Sequence, residues 1–472
     1  MTKRLIGPFS RVEGHLEIEL ERTGNIVTRA QVNSPMFRGM ETVMLNRAPM
    51  DALTIAPRIC GICSVSQSVA AAKALAELAG VHPPLNGQLI TNLILGCEVL
   101  SNHLTHFYLF FMPDFARDIY QSHNWHQDAL RFKSETGPAQ AQALEARTRL
   151  LHIMGILAGK WPHTLTIRPG GTTQNIKTVE KLKLSSILTQ FRRFLETHVY
   201  GASLEETLAI SAFEDITSGD LGFFLKTAQD LGLNEIGRTR SVLLSGGGYP
   251  VIDKTFFQQG IYHNDAVFPL PQDDIYEDIS HSFMAGDVAQ FPFNGKTDPY
   301  LDKEAAYSWC KAPRLKGMRC EVGALARHVI NGHDMFKASF DKQGSTVKNR
   351  IFARVWEMAK LVVEMEKWVD MIDPDGDFYE ETPLPASGQA LCFVEAARGT
   401  LGHWITVADN RIQNYQIIAP TTWNFSPRDE AGQEGPLENA LMNAPIYDGE
   451  EDPVSVQHIV RSFDPCMACT VH

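Results

Sequence analysis

Apolar and polar positions alternate first over residues 15–20, where His15-Leu16-Glu17-Ile18-Glu19-Leu20 puts Leu16, Ile18 and Leu20 on one face. Ile26, Val27 and Val32 continue the apolar content after Thr23-Gly24-Asn25. This spacing predicts an antiparallel hairpin with that triplet as its turn. The period then lengthens. Residues 86–111 are rich in Leu, Ile and Phe, and read as a long helix with much of its surface buried. Val347, Ile351, Val355, Met358, Leu361, Val362, Met365 and Trp368 make a helical stripe through 346–372, and segments 138–158 and 176–199 also read as helices. Val456, Ile459, Val460 and Phe463 follow helical spacing after Asp452-Pro453, an N-cap with proline in the first turn, and Pro465 ends that helix. Residues 240–300, rich in Gly, Pro, Asp and aromatics, read as irregular structure with short strands. With no internal repeat or flexible linker, the pattern predicts a mainly α (α+β) fold. It has a large helical-bundle core and a small N-terminal antiparallel β element, in one domain over 1–472.

Composition narrows the function. The chain has 472 residues, 44% hydrophobic and 21% charged, as in an ordinary globular protein. A net charge of −12 without a Lys/Arg cluster argues against nucleic-acid binding. Met1-Thr2-Lys3-Arg4-Leu5 runs into a strand-like segment without the apolar core of a signal peptide. No apolar run reaches the roughly 18–20 residues of a membrane helix. Eight cysteines in this length are no disulfide framework, so a cytoplasmic location is expected.

Four of those cysteines form two Cys-x-x-Cys pairs, Cys60-Gly61-Ile62-Cys63 and Cys466-Met467-Ala468-Cys469. Four thiolates brought together by folding suit a soft late transition metal. A structural zinc staple normally has its pairs roughly 15–20 residues apart. Here nearly the whole chain intervenes, long enough to build its own core. Neither pair sits in the βαβ pattern of a thioredoxin-like motif. Spacing therefore favours a functional metal site and leaves the metal unnamed. Both pairs fall at predicted helix boundaries. Ser64 opens a helix through Ala70-Ala71-Ala72, and Ser64 with Gln67 fits a capping box. Cys97, Cys310, Cys320 and Cys392 read as buried thiols without a role.

The chain resembles the large subunit of nickel–iron hydrogenases. The resemblance rests on Arg11-Val12-Glu13-Gly14-His15, Arg58-Ile59-Cys60-Gly61-Ile62-Cys63, Glu395-Ala396-Ala397-Arg398-Gly399, Pro420-Thr421-Thr422-Trp423-Asn424 with Ser426-Pro427-Arg428-Asp429, and Asp464-Pro465-Cys466 through His472. It implies that family's fold, a nickel–iron centre whose iron carries CO and two cyanides, and heterolytic cleavage of H2. By motif position, Cys60 and Cys466 would be terminal nickel thiolates, and Cys63 and Cys469 would bridge the metals. H2 is a very weak acid, so its cleavage needs a Lewis acid and a base set in place beforehand. The Cys466 sulfur or a guanidine nitrogen of Arg398 would take the proton first, with Glu13 as the first relay. Alone, Glu13 and Arg398 would pass for ordinary paired charges. The resemblance puts Arg398 over the site, with Asp114 and Asp464 as candidates to hold it and Thr421 and Thr422 as hydroxyl donors near the diatomic ligands. Glu41 and His472 match a hard-metal site, usually magnesium. The four remaining cysteines are scattered singly, so iron–sulfur clusters belong only to a small partner subunit in an obligate heterodimer. Whether two heterodimers associate is left open.

Three departures resemble the H2-sensing (regulatory) branch. Ile62 and Phe110 stand where the family usually has smaller Val and Leu along the gas route, which would hinder O2 more than H2. Gln67 stands where His is frequent. The sequence stops at His472: either the extension that most members lose on maturation has been removed, or, as is typical of the sensing branch, it was never there. The expected function is thus an oxygen-tolerant, low-turnover H2 sensor signalling to a histidine kinase. The alternative is an uptake hydrogenase feeding electrons from H2 to respiration. A non-catalytic relative such as the quinone-site subunit of complex I would lack the four cysteines.

Overall fold

The computed structural model describes residues 2–7, 9–446, 450 and 453–472. The expected hairpin is strands Glu17–Thr23 and Ile26–Asn33, which close around Gly24-Asn25, with Thr23 paired to Ile26. Gly24 adopts φ 60°, a left-handed value that glycine takes without strain. Thr2–Ile6 adds a third antiparallel strand on the free edge of Glu17–Thr23.

Helix Leu85–Thr105 is buried along most of its length, its polar Asn86, Asn92, Glu98, Asn102 and His103 included. It crosses Val347–Met371, the longest helix. Thr346 caps that helix: its Oγ1 accepts from Asn349 N at 3.2 Å, and Asn349 Oδ1 accepts from Thr346 N at 2.6 Å. The stretch 86–111 is not one regular helix, since a π turn follows at His106–Phe111. The 138–158 segment divides into Pro138–Leu150 and His152–Ala158, and Thr178–Phe194 runs into a second π turn. The stripe after residue 453 forms Val454–Ser462; the expected N-cap Asp452 lies outside the described residues.

Two β regions exceed the sequence reading. Within 240–300, Val242–Val251 and Lys254–His263 are ten-residue strands of a four-stranded sheet. Their signal is masked by Gly246-Gly247-Gly248, which serve close packing. A Cβ on Gly246 would lie 2.6 Å from the Phe393 Cβ. Strands Gly388–Ala396, Gly399–Ala408 and Arg411–Ile418 form an antiparallel meander. The first two are buried on both faces over most of their length, so they show no alternation. Helix Ser64–Ala79 packs on this meander, which brings the first cysteine pair against Arg398 at the Ala396–Gly399 turn.

No helix among the described residues is long and apolar enough to cross a membrane.

Candidate metal centre

Cys60 follows a 3-10 turn, Cys63 is the residue before helix Ser64–Ala79, and Cys466 precedes the short helix Met467–Thr470 that contains Cys469. Their four sulfurs lie within 4.8 Å of one another, and all four cysteines are free. The Sγ–Sγ distances are 3.5 Å for Cys60–Cys466, 2.9 Å for Cys63–Cys469 and 3.1 Å for Cys466–Cys469. Shared hydrogen bonds with Cys466 pull the Cys60 thiol down and push Cys63 and Cys469 up. So crowded a set cannot all ionise without cations among them. That is the behaviour expected of a thiolate metal site.

The two pairs are 406 positions apart, and backbone contacts hold them in register. Met467 N donates to Glu13 O at 2.8 Å, and Cys466 N donates to Thr421 Oγ1 at 3.2 Å. Arg38, exposed in this chain, donates to the carbonyls of both Ile59 and Ala468, one in each cysteine loop. Arg354 caps the preceding helix end, giving hydrogen bonds to the carbonyls of Ser462 (2.6 Å) and Phe463 (2.8 Å). Asp464 then takes the left-handed φ of 57° that turns the chain into Pro465 and Cys466.

The expected Ser64–Gln67 capping box does not form. The buried carboxylate of Glu98 takes its place, accepting from Val65 N (2.8 Å), Ser66 N (2.9 Å) and Ser66 Oγ (2.7 Å). Burial pushes the Glu98 carboxyl up to about 7 against those bonds. An acid inside the apolar 86–111 stripe was the signal that could have exposed it. Gln67 Oε1 instead lies 2.9 Å from His403 Nε2.

A small cavity beside the sulfurs is lined by Ile62, Gln67, Glu98, Asn102, Arg398 and Thr421, among others. Arg398 is held by Asp464, through Nε to the backbone carbonyl (2.8 Å) and Nη2 to Oδ1 (3.2 Å), while Asn102 Nδ2 donates to Oδ2 (2.7 Å). Burial opposes the guanidinium charge, but Asp464 and the cysteine sulfurs outweigh it and raise its pKa. Asp464 is held at about 2, burial being overcome by Arg398. Asp114 has no part in this. It sits on the turn Met112–Ala116 that follows the π turn, and pairs there with Arg461 at 2.7 Å and with Arg11. Buried Arg327 binds Glu357 (2.6 Å) and Glu395 (2.7 Å) and donates to the carbonyls of Ala396 (2.9 Å) and Ala397 (3.3 Å), fixing the turn that carries Arg398. No local motif announces that support.

Glu13 is half-buried, and burial and then Cys60 raise its carboxyl pKa, with Arg398 opposing. Thr422 does not line the cavity. Its Oγ1 donates to Thr470 O at 3.0 Å, so it secures the tail. Phe110 does not line it either: it is half-buried on the π turn, where its carbonyl accepts from Arg11 at 3.2 Å. Ile62 is thus the one expected gas-route residue in the cavity wall. Cys97, Cys310, Cys320 and Cys392 are buried, and burial raises each thiol.

Glu41 and His472 do meet. His472 Nε2 lies 3.3 Å from Glu41 Oε1 and 2.7 Å from the Ile417 carbonyl. Burial raises the Glu41 carboxyl, but Lys311 and His472 bring it down to about 2.

Comparison with known proteins agrees with this geometry. A family model described as nickel-dependent hydrogenase matches residues 38–141 and 117–472. The periplasmic [NiFeSe] hydrogenase large subunit of Desulfomicrobium baculatum is 30% identical over 99% of this chain and 94% of its own length. The uptake hydrogenase large subunit of Bradyrhizobium diazoefficiens is 26% identical over 99% and 94%. The structure of the Ni-Fe-Se hydrogenase from D. vulgaris Hildenborough in the reduced state superposes with a TM-score of 0.86, at 29% identity and full coverage of both chains.

Proposed function

The chain belongs to the nickel-dependent hydrogenase family, and we propose that it is the large subunit of a nickel–iron hydrogenase that cleaves H2 heterolytically. Four free sulfurs converging within 4.8 Å beside Arg398 carry this reading. Cys60 and Cys466 would be terminal nickel ligands, with Cys63 and Cys469 bridging to an iron that carries CO and two cyanides. Bound there, the metals would supply the Lewis acidity that heterolysis requires. The protein supplies the rest. Asp464 keeps the Arg398 guanidinium charged and aimed, so its remaining donors suit anionic ligands in the cavity. That favours the Cys466 sulfur over a guanidine nitrogen as the first proton acceptor. Glu13, tied to the Cys466 loop and half-buried, takes the proton onward to the surface.

Glu41, His472 and the Ile417 carbonyl would hold a magnesium ion. Two buried carboxylates, Glu41 and Glu277, share one ammonium, Lys311, which leaves room for a further cation. Electrons leave through a small iron–sulfur subunit, since every thiol outside the centre is solitary. All eight cysteines are unpaired, in keeping with a cytoplasmic location, though one relative is named periplasmic.

The relative named as an uptake hydrogenase favours delivery of electrons from H2 to metabolism. Its 26% identity and the 30% of the [NiFeSe] relative are close, so they inform the shared chemistry more than the role. Ile62 in the cavity wall and Gln67 beside it favour the second reading, an H2 sensor acting on a histidine kinase. H2-driven dye reduction by the purified complex, with and without oxygen, tests both. Fast turnover suppressed by oxygen supports uptake, and slow turnover that oxygen leaves intact supports sensing. No reduction by a nickel- and iron-loaded complex would overturn the hydrogenase reading.

A further inference from the structure

A cavity of about 360 Å3 opens between helix Ser64–Ala79, helix Leu85–Thr105 and the strand pair Ile167–Arg168 and Gly171–Thr172. Its volume falls in the range of about 300–1,000 Å3 that small-molecule sites occupy. Val69, Ala72, Ala76, Ile167 and Leu391 make much of its wall apolar. Lys73 comes ten positions after Cys63 along the same helix. At about 1.5 Å per residue the cavity lies about 15 Å from the first cysteine pair, so its occupant would not touch the reacting atoms.

Two cations line this apolar space. Lys73 and Arg168 are both half-buried, and among the described residues neither side chain has a hydrogen bond or an ion pair. Glu77, one turn beyond Lys73 and exposed at the rim, pairs with neither. Burial lowers the Lys73 pKa, with the Cys392 sulfur opposing. Burial also pushes the Cys392 thiol up to about 12. At neutral pH it is therefore an uncharged thiol, its Sγ donating to the Ala70 carbonyl at 3.0 Å, and it supplies no anion. Cations withdrawn from water without a counter-charge are costly, and two of them on one cavity favour an anion between them.

We propose that this cavity binds a small organic oxyanion, a carboxylate or phosphate ester with an apolar body, whose negative end sits between Lys73 and Arg168. The planar guanidinium of Arg168 matches two oxygens of either head group, and the Lys73 ammonium adds a point charge. The apolar wall would cover the body of the ligand, which inorganic anions lack. The proposal holds whichever role the metal centre plays.

The test is calorimetric titration of the purified heterodimer with benzoate and with phenyl phosphate, and with benzyl alcohol as their uncharged counterpart. At least one of the two anions should bind once per large subunit and more weakly as salt rises, and benzyl alcohol should not bind. The tighter anion identifies the head group. Lys73→Met and Arg168→Met keep apolar stems without the charge, and each should weaken binding by about tenfold or more. Lys73→Arg, which keeps the charge, should retain it. If Lys73→Met does not assemble, Arg168→Met on the half-buried strand decides alone. Absence of binding by both anions up to about 10 mM, equal binding of benzyl alcohol, or parent-like affinity in the charge-removing variants would overturn the proposal.

Discussion

Replacing Asp464 by Asn isolates the support of Arg398. The backbone should not object, because Asn tolerates the left-handed φ of 57° as well as Asp does. Oδ1 can still accept from Arg398, but the new Nδ2 faces the NH2 of Asn102 across the former 2.7 Å bond. Two figures bound the cost. The Asp464 carboxyl is lowered from 3.8 to about 2, and at about 1.36 kcal/mol per pH unit this is on the order of 2 kcal/mol of stability. Its folded value is depressed, so this contribution is full above pH 3.8 and fades as pH falls toward 2. The other figure is larger. Arg398 cannot deprotonate, so the variant keeps a buried cation without its anion, which costs about 3–5 kcal/mol. The larger figure should govern at pH 7. Urea unfolding of the metal-loaded complex, compared at equal slope, gives the measured loss. Removing both charges in Asp464→Asn with Arg398→Met should be less destabilising than Asp464→Asn alone, because no unpaired charge remains. A loss below about 1 kcal/mol for the single variant, or additive losses in the pair, would refute the reasoning.

Three further variants separate other roles. Glu13→Gln should slow H2/D2 exchange with solvent by about 10²-fold or more while nickel and iron stay bound, and full exchange would remove Glu13 from the relay. Ile62→Val should make activity oxygen-sensitive, whereas Phe110→Leu alone should not, because only Ile62 lines the cavity; activity in air compared across the two singles and the double decides this. Arg38→Ala removes the exposed clasp between the two cysteine loops, at a cost of about 1 kcal/mol, so nickel should pass to a chelator about fivefold faster; an unchanged release rate would show that the remaining backbone contacts suffice.

The four clustered cysteines were legible because they announce themselves by type and local spacing. Two Cys-x-x-Cys pairs too far apart for a staple needed no tertiary information to be singled out, whereas Glu13 and Arg398, which alone would pass for ordinary paired charges, stood out only through the family motifs around them. The long helices were legible for a similar reason: a half-buried surface imposes a period on the residues that cover it. The strands Val242–Val251, Gly388–Ala396 and Gly399–Ala408 escaped because burial on both faces, or glycines serving close approach, erases that period. Partner choice escaped for a different reason. Asp114 and Asp464 are the same residue type, and only their positions in space assign one to Arg461 and the other to Arg398. Glu98 replacing a local capping box, and His403 bridging Tyr415 and Gln67, likewise depend on groups far apart in sequence. Local spacing sets which groups are available, whereas hydrogen bonds and ion pairs form only between groups that folding brings within about 3 Å of each other.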